Sequence, residues 1–393
     1  MSDRRTRIAL AGVIGLVLLA QVLLYPGIDT LVAALGATTD LQASMWFLAA
    51  EFGAFVVFAV IWGVVSDATG RRAPYIVVGA LGGAAGYAAL FFVPSSAPSF
   101  LTVLGLRVVQ GAMTIGAFSL AMTMLMDLEG GHGRNMGAAG IAIGSGTALG
   151  APIGGQLYEV DPLAPVAAAS GLLVVAAALA WMVPDRAPAG DRRLAAALDS
   201  VTARPQLLVP FAFGFIDRYT AGFFALVGTL YFREAFELSP GATGLVLAAF
   251  FAPFALFQYP FGVLSDRIGR TVPIVAGSAV YGLVVIGVGA APRIELVALG
   301  MVAVGVVGAL MAPATMALVT DLAPPDERGA AMGGFNVFGS VGFLAGVLVG
   351  GTVADRFDFF TAFLVTGGIE IGVAALTIPF FLRLERQRSG VSA

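Results

Sequence analysis

Residues 63–74 read G-V-V-S-D-A-T-G-R-R-A-P, and residues 262–273 read G-V-L-S-D-R-I-G-R-T-V-P. Seven of the twelve positions are identical. Matching stretches in the same chain direction mark an internal duplication. Other landmarks keep step. Asp127-Leu128 precedes Arg134 at the spacing at which Asp321-Leu322 precedes Arg328. Met136-Gly137 likewise precedes Gly154-Gly155 as Met332-Gly333 precedes Gly350-Gly351. The two halves are duplicates in the same orientation.

Composition says what each copy is made of. Of 393 residues, 59% are hydrophobic and 11% charged, with a mean hydropathy of +0.93. No water-soluble core needs that apolar excess, so the chain reads as an integral membrane protein. A helical span takes about 20 apolar residues. Apolar runs fall at 8–35, 44–66, 74–93, 99–126, 136–157 and 163–183, then 207–232, 241–264, 273–291, 294–320, 330–352 and 359–382. The expected fold is all-α, with twelve transmembrane helices in two six-helix bundles, residues 1–184 and 207–393. Residues 185–206 form a polar linker carrying Arg186, Arg192, Arg193 and Arg204.

All 21 basic residues are arginine, which removes the P-loop, Schiff-base and kinase lysines together. Cysteine is absent and His132 is the only histidine, so disulfides, thiolate or imidazole metal sites and Ser-His catalysis drop out. Neither an enzyme, nor a metal or other cofactor, nor a nucleic-acid partner is expected. The net charge of −3 discriminates nothing.

Cytoplasmic loops collect positive charge during insertion. With the N-terminus inside, Arg4, Arg5, Arg7, Arg71, Arg72, Arg134, the linker arginines, Arg267, Arg270, Arg328, Arg383, Arg386 and Arg388 are all cytoplasmic. Only Arg233, Arg293 and Arg356 fall outside, so both termini are expected in the cytoplasm. The apolar run after Arg7 is too long for a signal peptide and reads as the first span.

The repeated G-x-x-S-D-x-x-G-R pattern resembles the cytoplasmic signature of the major facilitator superfamily, and the span count and duplication extend the likeness over the whole chain. Physically, Gly63 and Gly262 allow a neighbouring helix to approach, and Asp67 and Asp266 place a carboxylate at a helix end. Gly70 and Gly269 permit a sharp turn, and Arg71 and Arg270 add a cation. Such a cluster is a conformational latch. Arg72 reads as a plain topology anchor. In span four, L-R-V-V-Q-G, with Arg107 and Gln110, resembles the family's arginine motif, which in proton-coupled members adjusts a protonatable carboxylate. The corresponding stretch, residues 300–305 (G-M-V-A-V-G), has no charge, so the role of Arg107 is asymmetric. In span five, residues 140–155 resemble the glycine-proline motif of drug-exporting antiporters, with Gly146, Gly150, Gly154, Gly155 and Pro152 for helix packing. The family pattern places proline directly after glycine; here Ala151 intervenes.

Ionisable residues inside spans are functional candidates by default. Asp29, Glu51 and Arg107 come out at one depth, roughly 10 Å below the outer surface at about 1.5 Å per helical residue. Together they are expected to form a proton-coupling site, in which the arginine balances one acid and the other titrates. Asp217 and Arg218 lie deeper, in span seven, which lines the cavity in the superfamily and makes them substrate or gating candidates. Neighbours about 100° apart on a helix are not expected to pair with each other. Glu370, in span twelve, reads as structural, and His132 as a solvated loop residue.

The function expected is secondary active transport of a small molecule by alternating access in the cell membrane, driven by protons or sodium. Efflux resembling the drug/proton antiporters leads. Uptake or exchange of a polar metabolite such as a sugar or organic acid stands second, and a non-transporting receptor or scaffold third. A monomer in the lipid bilayer suffices.

Overall fold

The computed structural model describes residues 3–37, 41–96, 99–129, 132–185, 204–324 and 327–390. Linker arginines Arg186, Arg192 and Arg193 lie outside the described residues, as does the side chain of His132. Among the described residues the chain is helical, with no strand. α1 (Asp3–Val22) passes through a 3-10 turn (Tyr25–Gly27) into the short α2 (Ile28–Ala34). Then come α3 (Leu41–Thr69), α4 (Ala73–Phe92), α5 (Phe100–Met126), α6 (His132–Val160) and α7 (Ala164–Trp181). The second repeat starts with α8 (Leu208–Phe223), a π turn (Phe224–Gly228) and the short α9 (Thr229–Ala235). It continues with α10 (Pro240–Ile268), α11 (Thr271–Gly289), α12 (Ile294–Leu322), α13 (Arg328–Arg356) and α14 (Phe359–Gly390).

Among the described residues, ten helices are long and apolar enough to cross a membrane. The other two expected spans are the glycine-rich α6 and the run from α8 to α9, which the π turn interrupts. In lipid every backbone polar group must be satisfied within the protein, which is why apolar runs of this length become helices. Acidic side chains close some helix ends. Asp185 accepts from the N–H groups of Arg72 and Ala73 at 2.9 and 3.2 Å, and Asp358 accepts from Thr361 N–H at 2.6 Å. These bonds satisfy amides that have no partner inside a helix.

Contacts divide the chain into two compact units, residues 1–192 with 228–255, and residues 193–227 with 256–393. In the first, α1 packs on α5, α6 and α7, while α4 packs on α5 and α7 and α3 packs on α5. In the second, α8 packs on α12, α13 and α14, and α11 packs on α12 and α14. The pairing of α1 with α6 is thus repeated by α8 with α13, and that of α4 with α7 by α11 with α14. The repeat extends to irregularities. The breaks at Tyr25 and Phe224 stand at the offset that separates Gly63 from Gly262. They set Asp29 and Arg233 on short terminal helices.

Candidate functional site

Glu51 on α3 and Arg107 on α5 form an ion pair with both side chains fully buried. Small residues make that possible. A Cβ on Gly111 would sit 2.9 Å from the Glu51 carbonyl oxygen, so α3 and α5 meet backbone to backbone. A Cβ on Gly86 would likewise sit 2.5 Å from Gln110 Cβ, bringing α4 against the same place. Arg107 also donates to Gln110 Oε1 at 2.5 Å, and Gln110 Nε2 donates to Thr114 Oγ1 at 2.8 Å. The guanidinium carbon lies 4.6 Å from the Phe47 ring centre and 5.4 Å from that of Tyr87, within cation–π range. Among the described residues, Glu51 Oε1, Arg107 Nε and Gln21 Nε2 are buried without a hydrogen-bond partner. A paired but incompletely satisfied carboxylate can exchange its partner or accept a proton.

Asp29 is elsewhere. Its carboxylate meets Arg233 Nε at 2.8 Å, and Arg233 also donates to Thr30 Oγ1 at 3.0 Å and the Leu238 carbonyl at 3.4 Å. The expected trio therefore separates into Glu51 with Arg107, and Asp29 with Arg233. The break at Tyr25–Gly27 is the physical reason, because it interrupts the helix before Asp29. Beside this pair, Gly241 N–H donates to Glu159 at 2.8 Å. A hydrogen bond from Ser239, then that from Gly241, holds the Glu159 carboxyl below the usual carboxylate range. Burial, with the Asp29 charge adding to it, pushes Glu234 up.

Asp217 and Arg218 do meet, contrary to the expectation from helix geometry. Their side chains come within 3.8 Å, because the long arginine side chain folds back toward its neighbour. The contact is long and half of the Arg218 side chain is exposed.

The repeated motif ends α3 and α10. Gly70 and Gly269 adopt φ values of +63° and +86°, the left-handed turn that glycine allows. Asp67 and Asp127 converge on one guanidinium, which belongs to Arg72 rather than Arg71. Arg72 is buried and Arg71 exposed, which corrects the reading of Arg72 as a topology anchor. In the second repeat Arg270 lies 2.6 Å from Asp266, 3.4 Å from Asp321 and 2.7 Å from Ser265 Oγ. Among the described residues, a Cβ on Gly63 would meet nothing within 4 Å, and one on Gly262 only Pro313 Cβ at 3.5 Å. Neither glycine is at a close helix approach in this conformation.

A model of the Major Facilitator Superfamily matches residues 10–230 and again 211–393. The chain belongs to this superfamily. It is 26% identical over 317 residues to a tetracycline resistance protein, class G, from Vibrio anguillarum, covering 75% of this chain and 76% of that one. It is 31% identical over 153 residues to multidrug resistance protein 2 from Bacillus subtilis, covering 39% and 38%. Among solved structures, the nucleoside transporter NupG superposes with a TM-score of 0.76 at 13% identity, covering 96% of this chain and 99% of that one. A bacterial homologue of the lysosomal transporter Spinster, inward-facing and unoccupied, gives 0.75 at 12%, covering 95% and 94%. This chain is accordingly a multi-pass membrane transporter, and the superfamily consists of transporters rather than enzymes.

In this facilitator the glycine motif of α6 has two packing faces. Cβ atoms on Gly146 and Gly150 would lie 2.6 Å from Gly15 O and 2.7 Å from Val22 Cβ, and one on Gly154 would collide with the Leu23 backbone. All three positions face the first helix. A Cβ on Gly155 would sit 2.5 Å from Pro240 O, and one on Gly244 would press against Ala151 and Pro152. Two charged residues escaped sequence reasoning. Arg7, expected only to set topology, is buried and donates to Asn135 Oδ1 and the Glu129 carbonyl, each at 2.7 Å. Arg233 was legible only as an arginine on the side poor in arginine.

Proposed function

We propose that this chain exports a small lipophilic compound in exchange for protons, across the cell membrane, with both termini cytoplasmic. The moving bodies are the two halves, residues 1–184 and 207–393, joined by the linker 185–206, and a monomer carries the cycle. The observation that carries this reading is the buried Glu51–Arg107 pair. A pair of full charges costs several kcal/mol to desolvate, and an acid held against a fixed cation is suited to a proton that comes and goes. The second repeat has no charge at the stretch matching Arg107, which fits one coupling site per molecule. The tetracycline resistance and multidrug resistance relatives support export.

In this mechanism Glu51 accepts the proton on one face and releases it on the other, Arg107 biases its charge, and the Asp67–Arg72–Asp127 and Asp266–Arg270–Asp321 clusters latch the motif ends. Asp29 with Arg233 latches the opposite end, and Asp217 with Arg218 contacts substrate or gate. The test is transport of a fluorescent lipophilic cation into inverted vesicles, with and without an imposed pH gradient, in wild type and Glu51→Gln. Gradient-driven accumulation that Glu51→Gln abolishes is expected. Accumulation driven in the opposite direction establishes uptake instead, and equal gradient dependence in both proteins removes Glu51 as the carrier.

A further inference from the structure

Glu370 stands in the middle of α14 with no solvent exposure. Gly282 of α11 makes its site: a Cβ there would lie 2.5 Å from the Gly367 carbonyl and 3.1 Å from Glu370 Cβ, so the two helices touch at this level. Among the described residues the carboxyl hydrogen-bonds to hydroxyls. Ser278 Oγ is 2.6 Å from Oε1, and Thr220 Oγ1 of α8 is 3.4 Å from Oε2. No arginine lies within ion-pair distance among the described residues. Glu51, equally buried, has Arg107; Glu370 has no cation as ion-pair partner among the described residues.

An ionised carboxylate offers about four acceptor positions, and burying it without a cation is far more costly than binding a proton. The hydrogen count agrees. Ser278 Oγ also lies 3.4 Å from the Glu370 main-chain carbonyl and has one hydrogen to give. With its proton on, Glu370 donates to Ser278, and the serine hydrogen turns to that carbonyl. Among titratable groups, Asp217 faces Glu370 from α8 and Tyr281 from α11. α12 and α13 carry theirs only at the ends, Glu295, Asp321, Arg328, Asp355 and Arg356.

We propose that Glu370, Ser278 and Thr220 form a second proton-binding site, in which the carboxyl carries its proton for as long as α8, α11 and α14 stay packed around it. Separation of α8 from α14 removes Thr220, admits water and lets the proton go. This site goes beyond the coupling role given to Glu51 and does not rest on it, because its charge state is readable without substrate.

The test is infrared difference spectroscopy of the full-length protein in nanodiscs at neutral pH, in ordinary and heavy water. Wild type minus Glu370→Gln should show a deuterium-sensitive protonated-carboxyl band, and the same band should persist in Glu51→Gln. Melting measured against pH gives a second readout. Wild type should lose stability relative to Glu370→Gln as pH rises above about 4.3, since the unfolded carboxyl ionises there while the folded one keeps its proton, and the difference should level off once the folded carboxyl ionises as well. Ser278→Ala, which keeps the acid, should shift the band. Ionised-carboxylate bands alone in the difference spectrum, or an unmoved band in Ser278→Ala, overturn the assignment.

Discussion

Removing the cation from the buried pair should be far more damaging than removing the pair. Both Glu51 and Arg107 side chains have no exposure, so the pair belongs with buried ion pairs, where loss of one partner costs about 3–5 kcal/mol, and not with exposed ones at about 0.2–1 kcal/mol. The two single variants should differ. In Glu51→Gln the guanidinium keeps Gln110 Oε1 and the faces of Phe47 and Tyr87, and those ring contacts are worth about 0.5–2 kcal/mol. In Arg107→Ala the carboxylate loses its only ion-pair partner among the described residues and must be buried charged or take up a proton. Arg107→Ala should therefore be the less stable single variant at neutral pH and should recover on acidification, which protonates the orphaned acid. Glu51→Gln with Arg107→Ala should be better than Arg107→Ala alone and indifferent to acid. The assay is equilibrium unfolding of the four proteins in mixed micelles, followed by tryptophan fluorescence at two pH values. A coupling of about 3 kcal/mol is more than a hundredfold in the folded population. Coupling below about 1 kcal/mol, the range of an exposed pair, would refute the reasoning.

At the motif end of α3, Arg72→Gln should cost about 1.5–3 kcal/mol, because a buried guanidinium holds Asp67 and Asp127, whereas Arg71→Gln should stay within about 0.5 kcal/mol; equal melting shifts in the two variants count against the assignment. Asp29→Arg and Arg233→Asp should each impair transport, and the double exchange should restore a large part of it, since the pair is worth about 0.2–1 kcal/mol at its partial exposure and acts through charge complementarity. Failure of the exchange to rescue either single variant removes the ionic contact as a latch. The Glu159 carboxyl is held below its usual range by Ser239 and Gly241, so its contribution is present above about pH 4.3 and lost as pH falls through the lower folded value. Hydrogen exchange at the Gly241 amide, corrected for intrinsic rate, should show protection that fades on acidification, and Glu159→Gln should lack that pH dependence.

Much of this architecture is readable in the sequence because it is repeated. Two copies of G-x-x-S-D-x-x-G-R, in register with matching Asp-Leu and Gly-Gly pairs, place the helix ends before any coordinate is known. Helix rise alone also puts Glu51 and Arg107 at one depth, together with Asp29, and leaves open which acid the arginine meets. The Asp29–Arg233 contact was not. It joins residues 204 positions apart, and Asp29 follows a break at Tyr25–Gly27 that depth counting along an unbroken helix ignores.

The exchange of Arg71 for Arg72 has a sharper cause. Motif alignment matches Arg71 with Arg270, yet the structure matches Arg72 with Arg270, because each is the residue that caps the following helix. α4 starts at Ala73, opposite Val272 in the alignment, while α11 starts at Thr271, one motif position earlier. After a glycine in the left-handed region the chain leaves the turn at an angle set by where the next helix begins. The side chain at the cap is swung under the bundle toward Asp127 or Asp321, and its neighbour is left outside. In the first repeat Asp185 fixes that start, by accepting from both Arg72 and Ala73 N–H. Asp185 lies at the far end of the repeat, beyond α7, so no local pattern around the motif contains the information. The identity of the latch arginine is thus decided by a long-range cap, and Asp185→Ala should weaken the Arg72 contacts without touching any residue of the motif itself.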